Sequence, residues 1–404
     1  MTNFAYSLSA SLITKTKKHM KAIYLLVSLS ALLAACQLTP KTATIPVIDV
    51  TASYPQQEMN LQDFAEVEYI PLETTDSFIT QAYIQSITPH YIVCTNYQAE
   101  GTLYLFDRKT GQGICTFNRK GQGNMEYASA SLAILSESTE ELFVSDMMTR
   151  KMLIYDLKGN FLRSFPFEKE DTYSSILEYD DHHLIVFKER TQGETPLEES
   201  KDACHILLSK TDGKVVKEIR IPLEKYESLI LAQNGIFTSA PFTTMVAAPD
   251  HWILDQTSSD TLYRYTDGQL EPAFLRTPSI HSMEVQKFLY AQAVCDPYLF
   301  FVTVEKKFDV KKMRGYPTDL YCYNQATGAI TQPRFTNTDC ADLPVHFLSN
   351  METQLDNSVA GYYLLQADQL KEAYEEGKLK GRLKEIASQL NEESNPVLVL
   401  LKRK

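Results

Sequence analysis

Five times this chain repeats the same local pattern: an apolar strand-like run, a polar turn, a glycine and a second strand-like run. The instances are Leu105-Phe106-Asp107 to Gly111, Ile154-Tyr155-Asp156 to Gly159, Leu207-Leu208-Ser209 to Gly213, Tyr263-Arg264-Tyr265 to Gly268 and Tyr321-Cys322-Tyr323 to Gly328. The glycines are 48, 54, 55 and 60 residues apart, and each supplies the positive φ that a tight hairpin requires. Another strand-like run precedes each hairpin, at 91–94, 142–145, 184–187, 252–254 and 299–304, and a third lies further upstream, as at 131–135 and 244–247. Four strands per unit at this spacing is the pattern of a β-propeller. A sandwich needs no such regular recurrence, and a solenoid of shorter repeats would show a tighter period.

Five internal units leave both ends of the chain to make a sixth. The runs 45–50 and 67–70 are strand-like near the start, and 396–401 is a β-branched and leucine run near the end. Pairing those ends in one blade closes the ring and removes two exposed sheet edges. The expected fold is therefore all-β: a six-bladed β-propeller of four-stranded antiparallel blades. Its domain spans 45–404, with a short helical insertion over about 366–391. There Leu379, Leu383, Ile386, Ala387 and Leu390 recur at helical spacing, and residues 367–376 form a second short helix before Gly377. Their narrow apolar face suits packing against the blades, with a docking surface as the alternative.

The first 35 residues belong to a different kind of segment. Lys15, Lys17, Lys18 and Lys21 precede an apolar run from Ala22 to Leu33, and Leu33-Ala34-Ala35-Cys36 follows without a single acidic residue before it. The run is shorter than the roughly 20 residues needed to span a bilayer as a helix. It reads as a lipoprotein leader over 1–35, with Met20 as an alternative start, Cys36 as the lipidation site and 36–44 as a lipidated linker. Acylation at Cys36 would attach the protein to a cell-envelope membrane. The residues just after Cys36, Gln37-Leu38-Thr39-Pro40-Lys41, include no acidic residue, so the expected placement is the periplasmic side of the outer membrane, with surface exposure as the alternative.

The formal charge is −12 even with the leader lysines counted, which argues against nucleic acid or anionic headgroups as general partners. Beyond Cys36 the cysteines are Cys94, Cys115, Cys204, Cys295, Cys322 and Cys340, none in a CxxC pair. Several lie in apolar strand-like runs, where a thiol behaves as a small hydrophobe, so mostly reduced, buried cysteines are expected. No zinc-ligand spacing occurs, no metal or cofactor is implied, and adjacent His182 and His183 on a strand would point to opposite faces.

The segment Asn118-Arg119-Lys120-Gly121-Gln122-Gly123-Asn124-Met125-Glu126-Tyr127 resembles the six-bladed β-propeller lipoproteins abundant in Bacteroidetes, a family of unknown function related in architecture to NHL-repeat propellers. Similar family patterns stand at Tyr69-Ile70-Pro71-Leu72-Glu73-Thr74-Thr75, at Ser259-Asp260-Thr261-Leu262-Tyr263 and at Asn395-Pro396-Val397-Leu398-Val399, so the likeness covers nearly the whole mature chain. Asn124 and Met125 replace the family's usual proline and second glycine. The resemblance implies no catalytic residues, and it suggests an association with polysaccharide or peptide uptake.

In a four-stranded blade the second-to-third connections and the links between blades leave on one side. That brings together the link 119–127, the insertion 191–202 and the basic insertion 305–319, and long loops on a rigid scaffold are where function concentrates. Arg119, Glu126 and Tyr127 are candidates to bind a polar ligand, unless they staple one blade to the next. Lys306, Lys307, Lys311, Lys312 and Arg314 are candidates for a carboxylate, phosphate or acidic sugar, unless they are simply solvated. The motifs Gly111-Gln112-Gly113 and Gly121-Gln122-Gly123 lack the strand-to-helix context of a phosphate loop. No catalytic motif is visible. Two functions follow: an envelope-anchored module binding a small molecule, glycan, peptide or protein on one face, or an envelope hydrolase or lyase acting on a glycan or peptide at the propeller axis.

Overall fold

In the computed structural model, residues 45–96, 100–168, 172–189, 204–223, 225–233, 235–240, 242–348 and 353–404 are described. Six sheets follow one another as blades. Blade I runs from Tyr83–Ile87 to Gly113–Asn118, blade II from Leu132–Ser136 to Phe161–Pro166, and blade III from Thr172–Glu178 to Val215–Ile219. Blade IV runs from Met245–Ala247 to Gln269–Thr277, and blade V from Lys287–Cys295 to Ile330–Thr336. Blade VI closes the ring: Val397–Arg403 lies between Val359–Leu365 and the early strand Ala65–Pro71, antiparallel to both.

Each strand turns alternate side chains to opposite neighbours, so every interface between blades has its own apolar cluster. In blade I, Ile92, Cys94 and Phe106 pack towards blade VI, whereas Val93, Leu103 and Leu105 pack towards blade II. The glycine hairpins are where consecutive blades meet. Gly159 has φ +77°, and a Cβ there would overlap the ring of Phe117 on the last strand of the preceding blade. Gly213 stands in the same relation to Phe165. At these two positions the repeated glycine serves both the turn and the interface with the preceding blade.

The first strand does not join the closing blade as the sequence suggested. Val47–Asp49 pairs in parallel with the last strand of blade IV, and Gln56–Asn60 with the last strand of blade V, before the chain reaches blade VI. The reason is apolar: Ile48 and Val50 are fully buried in the cluster between blades IV and V. Blades IV and V thus gain a fifth outer strand, and blade VI is left with three.

The helices Ala367–Glu375 and Gly381–Ala387 connect two strands of blade VI. Leu370, Ala373, Leu379, Leu383, Ile386 and Ala387 bury their apolar face against it. Two small sheets lie outside the blades, Leu231–Gln233 with Ile236–Thr238 and Phe308–Asp309 with Arg314–Gly315. All six cysteines after Cys36 are free thiols. Cys94, Cys295, Cys322 and Cys340 are buried and Cys115 and Cys204 half-buried.

Candidate functional site

The link 119–127 folds back on itself. The Arg119 amide donates to the Tyr127 hydroxyl at 3.0 Å, and that hydroxyl donates to the Gly101 carbonyl at 2.6 Å. The Arg119 Nε donates to the Gly159 carbonyl of blade II at 2.8 Å. Glu126 receives the Gly123 amide at 2.8 Å rather than pairing with Arg119, and the Tyr155 hydroxyl donates to the Met125 carbonyl at 2.9 Å. Tyr127 is fully buried, edge-on to Tyr155 with ring centroids 6.1 Å apart. Burial pushes its pKa up. The polar groups named as ligand candidates here are thus engaged within the fold, and the link joins blades I and II.

The basic insertion is built differently. Lys306 is half-buried, its amide bonded to the Gln286 carbonyl at 2.8 Å. Burial lowers its pKa, opposed by the charge of Glu227. His281 also faces Glu227, at 3.5 Å, so Lys306 turns inward and stands apart from the other four cations. Lys307 and Lys312 lie 3.9 and 3.7 Å from Glu305 and Asp309, with side chains 70% and 78% exposed. Asp309 also caps the turn through the amides of Lys311 and Lys312. Lys311 and Arg314 are exposed. Among the described residues, the named hydrogen-bond partners of the link 119–127 lie in blades I and II, and those of the basic insertion at Gln286 and Thr238. The insertion 191–202 falls outside the described residues.

The axis, which carried no sequence motif, holds two hollows. First strands of blades III to VI line one of about 70 Å³ through Leu177, Met245, Gln292 and Tyr362, and the short strand Gln354–Leu355 pairs with the first strand of blade I beside it. Its size suits a few water molecules rather than a sugar ring. Gln292 Oε1 faces no hydrogen-bond partner among the described residues. A second, more open hollow of about 100 Å³ is lined by Glu137, Glu178, Asp181 and Asp356. Two of those carboxylates already engage cations, Glu178 with Lys210 and Asp356 with Arg108, and Glu137 is hydrogen-bonded to the His90 imidazole.

Two buried groups, Asp255 and His205, also escaped the sequence reading because no motif surrounds them. Asp255 follows the second strand of blade IV, and burial pushes its pKa up to about 8 while it accepts the Ala291 amide at 3.2 Å. Burial lowers His205 to about 4 and raises the adjacent Cys204 to about 12. His183 bonds Asp180 at 2.9 Å, and among the described residues no group of histidine, cysteine or carboxylate side chains has the arrangement to hold a metal ion.

The family model for DUF4934, a domain of unknown function, matches residues 45–402. The chain belongs to that family. Its fold is shared with a protein of Bacteroides fragilis thought to be exported: TM-score 0.58 at 16% identity, covering 89% of this chain and 99% of that one. A member of the duf4221 family from Bacteroides vulgatus matches at TM-score 0.49 and 11% identity, over 84% of this chain and 97% of that one. No curated protein matches the sequence. At 16% identity the DUF4934 chain shares a fold with the Bacteroides fragilis protein and nothing finer.

Proposed function

We propose that this DUF4934 protein is a lipid-anchored cell-envelope propeller that binds a ligand or protein partner on one face, without catalysis. The leader ending at Cys36 supports the anchor, and the likeness to a Bacteroides protein thought to be exported supports an envelope location. Among the described residues no helix is long and apolar enough to cross a membrane. The periplasmic side of the outer membrane is the preferred placement. Degradation of the protein by protease added to intact cells would overturn it.

One observation carries the choice of binding over hydrolysis. A glycosidase needs two carboxylates roughly 5 to 10 Å apart and free to exchange protons, whereas at the axis Glu178 and Asp356 are ion-paired with Lys210 and Arg108 and Glu137 is hydrogen-bonded to His90. The basic insertion, by contrast, offers outward cations in an otherwise acidic chain. A thermal-shift screen of residues 37–404 against oligosaccharides, peptides and divalent ions tests this, since a ligand at 100 times its Kd stabilises by about 2.7 kcal/mol. A shift with an intact ligand supports binding; turnover of that ligand would sink the non-catalytic reading.

A further inference from the structure

The two small sheets outside the blades stand side by side. The Thr238 hydroxyl meets the Tyr316 hydroxyl at 2.9 Å, which joins the hairpin 231–238 to the basic insertion, and Phe308 packs against Tyr316 with centroids 6.0 Å apart. Both hairpins turn large apolar groups outward. Phe237 is 76% exposed and Met313 66%. Met313 also holds a left-handed φ of +48°, a turn position where glycine would be free of strain. Around these groups stand the exposed cations Lys307, Lys311, Lys312 and Arg314. An exposed aromatic on one hairpin strand and an exposed thioether in the turn of the other, beside exposed cations, match the composition that lies in a membrane interface.

We propose that these paired hairpins seat the propeller on an anionic lipid surface, with Phe237 and Met313 entering the headgroup and acyl boundary and Lys307, Lys311, Lys312 and Arg314 meeting lipid phosphates. The inference rests on the envelope reading above and assigns the basic face its partner. Charge complementarity favours lipid: the patch reverses the sign of an acidic chain, and three of its four cations are lysines, which meet phosphates as mobile point charges without the fixed fork of arginine. Chain length agrees. The propeller unit begins at Pro46, whose carbonyl accepts the Leu275 amide on the last strand of blade IV. That strand ends at Thr277 and leads to Gln286, which holds Lys306. Ten residues from Cys36 to Pro46 reach at most about 36 Å, so a lipid on Cys36 would keep the propeller close to a bilayer. The acidic whole repels headgroups, and this patch sets which side faces them.

Flotation of non-acylated residues 37–404 with vesicles tests the seat apart from the anchor. The expected result is binding to phosphatidylethanolamine–phosphatidylglycerol vesicles, none to phosphatidylcholine vesicles, and weakening as salt rises. Replacing Lys307, Lys311, Lys312 and Arg314 with Glu should lower partitioning by at least about a hundredfold, since each basic residue near an anionic surface contributes about 1 kcal/mol. Phe237→Ser with Met313→Ser should lower it about tenfold or more with the melting temperature unchanged. Equal binding to both vesicle types, no binding, or retention by the charge-reversed variant would overturn the proposal. So would a dimer that Phe237→Ser dissociates, because a second copy would then cover the patch. Incorporation of labelled fatty acid into full-length protein, lost in Cys36→Ser, tests the anchor independently.

Discussion

The link between blades I and II and the junction of blades IV and V are closed by different chemistry. Between I and II, the link 119–127 satisfies its donors with backbone carbonyls and the buried Tyr127. Between IV and V, ionisable groups are drawn inward: Asp255 against the Ala291 amide, Arg276 paired with Asp260, and Glu227 beside His281. The link 119–127 depends on shape, while His90 and Glu137 meet across blades I and II away from it. The ionisable groups buried between blades IV and V make that junction depend on protonation, and the basic insertion of blade V keeps its cations exposed.

The largest effect is expected where shape decides. Tyr127→Ala removes a fully buried ring and orphans the Arg119 amide and the Gly101 carbonyl. It should destabilise by about 3 to 5 kcal/mol in urea unfolding. A loss near zero would mean that the link is a surface loop after all, and the contrast between the junctions would collapse.

A pH titration probes the other junction. The folded pKa of Asp255 is raised to about 8 from the ordinary 3.8, so the folded state holds an extra proton between those values. That stabilising contribution is fully present below about pH 4 and is lost as pH rises through 8. Asp255→Asn keeps an acceptor for the Ala291 amide and cannot ionise. Chemical denaturation at pH 6 and pH 9 should show the parent losing about 2 kcal/mol more than the variant. Parallel curves would place the buried charge elsewhere.

Arg119→Ala should cost less, about 1 kcal/mol, because its hydrogen bond to the Gly159 carbonyl lies at an exposed side chain. The readout is the urea midpoint. Unchanged stability together with weaker binding of any ligand found by the screen would return Arg119 to the status of a binding residue.

The propeller was legible in the glycine spacing because a hairpin turn and an interblade contact both constrain the same residue, as Gly159 and Gly213 show. Closure by Val397–Arg403 was legible as well, since a long apolar run needs a partner on both edges. The path of residues 47–60 was not. Three-residue and five-residue strands pair in parallel with edges hundreds of positions away, and nothing local records such a register. The sequence left each loop two roles, a ligand site or an interblade staple for Arg119 and a ligand site or plain solvation for Lys311, and the fold adds that a carbonyl waits for Arg119. Asp255 had no signature, because burial comes from strands that arrive from elsewhere in the chain.

The smallest effect is the sharpest test of the contrast. Lys311 and Lys312 project from a turn whose backbone is held by Asp309 through the amides of both residues, and those bonds survive loss of the side chains. The Lys312 ion pair at 3.7 Å is solvent-exposed, and such pairs contribute little. Lys311→Ala with Lys312→Ala should therefore shift unfolding by no more than about 0.5 kcal/mol, while Tyr127→Ala on the opposite junction unfolds the protein far earlier. If the lysine pair instead proved costly, the basic insertion would be part of the scaffold, and the outward cations would be holding the hairpin 231–238 in place rather than facing a partner.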